Sequence, residues 1–157
     1  MQEVAFEKYA PQVLQTLPRG AFLTVSNAGR DNTMTIGWGN IGVIWGKPIF
    51  TVLVLPSRFT FGLLEASGEF TVSVPLNDMS KALAICGSSS GREIDKFAAA
   101  GLKKLAGTKI ATPVIAGAGL HYECKVVFKQ PMNPLLLAKE LGDVCYPNGD
   151  HHTIYYG

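Results

Sequence analysis

The chain has 157 residues, which at about 100 to 200 residues per domain allows a single domain. Its 14 Lys and Arg against 12 Asp and Glu leave a net charge of +2, too small for the clustered basic excess of a phosphate-driven nucleic-acid binder. Charged residues are 17% of the chain and mean hydropathy is +0.19, so part of the apolar surface is expected to be covered by a partner chain or a ligand.

In chain order, residues 6–17 carry apolar positions at mixed helical spacing, broken by Pro11 and closed by Pro18, which predicts a short or kinked helix. Residues 21–26 alternate as a strand, 27–32 form a polar turn, and 33–45 are β-rich but interrupted by Gly37, Gly39 and Gly42, with Gly46 just beyond. Residues 48–55 are apolar on both faces, the mark of a central strand, and Pro56 ends it. Ser57 is placed to cap a helix over 59–66 that stops at Gly68, and a strand follows over 69–74. Asn77 or Asp78 caps a helix over 79–86, a Gly/Ser loop spans 87–92, and 93–100 reads as helix. Residues 120–129 alternate as one half-buried strand. Asn133-Pro134 then starts a helix to residue 141, and 152–156 close the chain as a strand. About six strands with short inserted helices favour an antiparallel barrel, mainly β, over a parallel βαβ sheet.

Three widely spaced cysteines, Cys86, Cys124 and Cys145, support neither a disulfide framework nor a metal knuckle and suit a reducing, cytoplasmic setting. No apolar run approaches the ~18 residues of a membrane span, so no membrane association is expected. His151 and His152 are adjacent, and on a strand they would face opposite ways, which disfavours a shared metal. The three histidines lie far in sequence from the Ser-rich loop, so a hydrolase is weakly supported; no P-loop is present, and no Gly-x-Gly-x-x-Gly opens a helix after a strand in a βαβ unit.

Two segments suit a phosphate, which needs fixed positive charge, hydroxyls and free N–H groups near a helix start. Pro56-Ser57-Arg58-Phe59-Thr60 is one; alone it reads first as an ordinary capped helix with a solvated arginine. The other runs from Gly87 through Ser90, Gly91 and Arg92 to Lys96, and alone it reads equally as a mobile surface loop. Between β-branched stretches, Asn32-Thr33-Met34-Thr35-Ile36-Gly37-Trp38-Gly39 mixes a thioether, hydroxyls and glycines, as where a flat group lies against a strand or where a barrel strand bulges.

At these residues the chain resembles the flavin reductase-like family, whose members have the FMN-binding split-barrel fold and include flavoredoxin. The resemblance covers residues 17–157 and rests on the order of several motifs: Asn32-x-Met34-Thr35-x-x-Trp38, Pro56-x-Arg58-x-Thr60, Gly68-x-Phe70-x-Val72-x-Val74-Pro75, Ser90-Gly91-Arg92-x-x-Asp95-Lys96-Phe97, Glu123-Cys124-Lys125-Val126, and Asp150-x-His152. It implies that Met34, Thr35, Ile36, Gly37 and Trp38 border the isoalloxazine ring of FMN. Ser57, Arg58 and Thr60 would then meet the phosphate, and Ser90, Gly91, Arg92 and Lys96 would complete the grip. It further implies hydride transfer from NADH or NADPH to the flavin, with no side-chain acid or base nominated, and a homodimer with flavin at the interface. Two alternatives stay open: an electron carrier with tightly bound FMN, reduced by a redox protein and lacking a nicotinamide site, and a split-barrel module that no longer binds flavin. The family continues past the position of Gly157 with a further strand, and residues 130–146 are longer and more helical than its simple hairpin, a segment expected to shape substrate access.

Overall fold

In the computed structural model, which describes residues 1–157, a 3-10 turn at Phe6–Tyr9 leads into helix α1 (Ala10–Thr16). Pro11 lies in the first turn of α1, where its missing N–H has no partner to lose, so it starts the helix instead of breaking it. Val13 and Leu17 turn inward and are buried.

Strands β1 (Ala21–Asn27) and β2 (Arg30–Ile36) form a hairpin closed by Ala28 and Gly29, at φ 49° and 77°, the backbone signature of a type I′ loop. The turn is therefore two residues long, not the six expected, and Arg30 to Asn32 belong to the strand. The β-rich run after Thr33 is two strands: the chain leaves β2 at Ile36 and enters β3 (Gly39–Ile44), which pairs with β4 (Lys47–Val54) in the other sheet.

Helix α2 (Phe59–Ser67) ends at Gly68 in the left-handed region, as expected from the sequence, and β5 (Glu69–Pro75) follows. Asp78 Oδ1 accepts the Ser80 N–H at the start of α3 (Ser80–Ser88). The helix expected over 93–100 shrinks to α4 (Lys96–Ala99), because Asp95 caps it from within by accepting the Phe97 and Ala98 N–H groups. Two short strands, β6 (Lys104–Leu105) and β7 (Val114–Ile115), pair with each other before β8 (Gly119–Lys125).

The single strand expected over 120–129 is two strands in different sheets, β8 and β9 (Phe128–Pro131). The N–H of Val126 goes to the Gly68 carbonyl and that of Val127 to the Tyr156 carbonyl, so the chain changes sheet between neighbouring peptides. Asn133 caps only a 3-10 turn at Pro134–Leu136; Leu137 is extended, and helix α5 (Lys139–Cys145) starts afterwards. Strand β10 (Thr153–Tyr156) ends the chain.

The strands assemble antiparallel in the orders β2-β1-β5-β8 and β3-β4-β10-β9, two sheets that do not close fully, which is a split barrel. Leu23, Val25, Phe50, Val52, Val54, Phe70, Val72, Val74 and Tyr155 fill the space between them. A smaller cluster of Phe22, Cys86, Phe97, Ile115 and Ala118 seals α3 and α4 on the outer face of the first sheet. No helix is long and apolar enough to cross a membrane.

Candidate functional site

A cavity of about 330 Å³ opens where β2, the start of α2, the end of α3 and the loop before α4 meet. Period-two alternation along β2 sends Asn32 and Met34 into it, while Thr35 points the other way and donates to the Leu83 carbonyl at 2.6 Å beneath α3. Pro56 breaks β4, and the chain turns into α2 with Ser57, Arg58, Phe59 and Thr60 along the cavity wall. Opposite them lie Gly87, Ser88, Ser89, Ser90, Gly91 and Arg92, with Lys96 behind.

Eight of the twelve residues expected at the site line this cavity: Met34, Ser57, Arg58, Thr60, Ser90, Gly91, Arg92 and Lys96. Thr35, Ile36, Gly37 and Trp38 do not. Ile36 is in the core, Gly37 runs beside the Leu17 and Pro18 carbonyls, and Trp38 is half exposed outside the cavity. Asn32, Leu55 and Phe59 are cavity residues that the motifs did not single out as contacts. The alternation with Met34 was the available signal for Asn32.

The wall is held by its own polar contacts. Asn32 Nδ2 donates to Thr60 Oγ1 at 2.8 Å, tying β2 to α2. Its Oδ1 faces Gly91 so closely that a Cβ there would lie 2.1 Å away. Arg92 Nη1 donates to the Ser57 carbonyl at 3.0 Å and thereby bridges the two walls. Ser57 does not cap α2 as expected; Arg58 occupies the cap position without a side-chain bond, and the Ser57 hydroxyl donates to Asp150 Oδ2 at 2.5 Å.

Lys96 is buried, with Nζ donating to the Cys86 carbonyl at 2.7 Å. Burial, with the like charge of Arg58 adding to it, pulls its ammonium below the usual lysine range. Burial also pushes the adjoining Cys86 thiol up to about 11, which keeps it neutral. All five ion pairs in the molecule use lysines other than Lys96, so Arg58, Arg92 and Lys96 face the cavity with no carboxylate partner within 4 Å.

Beside the cavity, Trp38 packs on His152 and Tyr146, with ring centroids 5.4 and 6.4 Å away, and Tyr146 stacks on His151 at 4.7 Å. The two histidines precede β10 and both pack on Tyr146, so the opposed orientation expected of them on a strand does not arise. Tyr146 Oη and His152 Nδ1 are 2.9 Å apart, and burial holds the His152 ring below the usual imidazole range.

Known proteins share this fold. An FMN-binding protein from Thermus thermophilus, crystallised with p-hydroxybenzaldehyde, is 27% identical with a TM-score of 0.69, covering 88% of this chain and 66% of its own. Flavoredoxin from Methanosarcina acetivorans is 25% identical with a TM-score of 0.69, covering 88% of this chain and 63% of its own. An uncharacterized protein of Archaeoglobus fulgidus is 29% identical over 110 residues, 70% of this chain and 62% of that one. The chain thus spans less than two thirds of the length of the last two. Residues 14–157, nearly the whole chain and including every wall of the cavity, match the flavin reductase like domain, and the protein belongs to that family.

Proposed function

We propose that the protein is an FMN-binding oxidoreductase of the flavin reductase type, which takes hydride from NADH or NADPH and passes electrons to an acceptor. The observation that carries this reading is the cavity with three unpaired cations and a row of serines. An FMN phosphate brings about 1.5 to 2 negative charges, as a phosphorylated side chain does. Arg58 offers it a planar fork, and Ser89, Ser90 and Thr60 offer hydroxyls. An anion there would favour the charged ammonium of Lys96 and offset the like charge of Arg58, so the donor set fits the group.

Bound FMN would supply the electron-accepting and electron-donating chemistry; the protein's part is to bind and orient it. Arg58, Arg92, Lys96 and the Ser89 and Ser90 hydroxyls would hold the phosphate, while Met34 leads along β2 toward its end at Ile36, with Trp38 two residues beyond. Trp38, Tyr146 and His152 then form the wall against which a planar acceptor lies. The p-hydroxybenzaldehyde bound by the Thermus protein supports a small aromatic carbonyl compound there.

The purified protein is expected to quench FMN fluorescence on titration. Replacing Arg58 with Ala should weaken FMN by about 1.5 to 3 kcal/mol, the worth of a hydrogen bond to a charged group. Unchanged FMN affinity in Arg58→Ala would overturn the assignment. The flavoredoxin likeness favours a second reading, a carrier reduced by a redox protein, in which bound FMN is reduced by neither nicotinamide. We further infer a homodimer, supported by exposed Val43, Trp45, Val127 and Phe128 on the second sheet; sedimentation as a monomer would sink that inference.

A further inference from the structure

The sequence holds only four arginines, Arg19, Arg30, Arg58 and Arg92, and three of them gather at this site. Arg30 is the one that a single phosphate does not explain. Its guanidinium carbon lies 4.4 Å from the centre of the Phe59 ring, and that of Arg92 lies 5.6 Å from the same ring. Phe59 lines the cavity, and Arg30 forms no ion pair although Asp31, beside it, pairs with Lys104 at 2.7 Å.

Arg30, Asn32 and Met34 share one face of β2, at steps of about 7 Å. On the reading above, Met34 leads toward the ring of FMN, and Asn32, bonded to Thr60, stands level with the phosphate. Arg30 is then one step beyond the point at which FMN ends. The two-residue turn at Ala28 and Gly29 holds this end of the strand in place. Counting charge gives the same result: Arg58, Arg92 and Lys96 already exceed a phosphate monoester, and Arg30 adds a fourth cation.

We propose that the site continues past the flavin phosphate into a second anion subsite, built from Arg30 and Phe59 with Arg92, that takes the phosphate and base of an adenylate group. An arginine stacked on an aromatic ring keeps its fork free for phosphate and adds a planar surface on which a purine stacks. The adenylate of FAD and that of the reducing nicotinamide dinucleotide share this chemistry. The proposal rests on the cavity being a flavin phosphate site.

Equilibrium titrations of the wild type and of Arg30→Gln with FMN and FAD, followed by flavin fluorescence, test it, and NADPH titrated into the FMN-loaded protein supplies the other arm. Arg30 is exposed and melting temperature checks that the variant folds. The expected result is FMN affinity unchanged within about twofold and FAD affinity lowered roughly tenfold or more, as the loss of one charge-assisted contact predicts. A tenfold loss confined to NADPH would assign the subsite to the reductant's adenylate instead and uphold it equally. Normal FMN binding with neither FAD nor NADPH affected by Arg30→Gln would overturn the subsite and leave the flavin reading intact. Failure of the wild type to bind FMN would overturn both.

Discussion

Gly91 approaches Asn32 more closely than any side chain could. A Cβ at this position would sit 2.1 Å from Asn32 Oδ1 and 2.8 Å from the Phe59 ring, and Asn32 cannot retreat without releasing Thr60. Gly91→Ala is therefore expected to part the two walls of the cavity, weakening FMN by at least tenfold and lowering stability by about 1 to 3 kcal/mol, the cost of overpacking. Gly62 is the matched control. It lies exposed in α2, and a Cβ there would meet nothing within 4 Å, so Gly62→Ala should stabilise by up to about 1 kcal/mol through helix propensity alone. Thermal melts with FMN titrations on both variants check the pair, and equal effects would refute the close approach as the cause.

Among the elements, α2 is tied to the second sheet through one carboxylate. Glu65 accepts from the Tyr155 hydroxyl of β10 at 2.8 Å and from Lys129 of β9 at 2.6 Å. The Lys129 bond draws Glu65 below its usual range, and burial pushes the Tyr155 phenol up. Tyr155→Phe keeps the buried ring and removes only the hydroxyl, so it should cost about 1 to 2 kcal/mol in a denaturant melt while FMN affinity stays put. Such ties also explain what could be read in advance. Residues 48–55 declared a buried strand because both faces are apolar, and Gly68 announced its own helix end. The run at 120–129 gave only a faint sign of its break, since Val127 alone departs from the alternation, and the pattern carries no record of which sheet each half joins. Ser57 looked like a cap because a hydroxyl precedes the helix; its partner, Asp150, lies 93 residues away, beyond the reach of any local pattern. Eight of the expected residues line one cavity, and the six polar ones among them stood out because charge and hydroxyls cluster in short segments. Arg30 was hidden inside what read as a polar turn.

For the molecule as a whole, acid is expected to act through two half-buried imidazoles. Burial holds both His121 and His152 below the usual imidazole value, so the folded state resists a proton that the unfolded chain accepts near pH 6.5. Their contribution to stability is complete above that value and is lost as pH falls through the folded-state values. The melting temperature should decline from pH 7.5 to below 6, and His121→Asn with His152→Gln should flatten the decline; an unaltered slope would exclude these groups. The pairing of β10 with β4 joins residues 153–156 to residues 51–54, so the second sheet is completed by segments about a hundred residues apart. During synthesis on a ribosome, β4 emerges about a hundred residues ahead of β10, with an apolar edge unpaired until β10 follows. Over that interval the nascent chain carries an open sheet edge, the kind of edge on which another chain can pair.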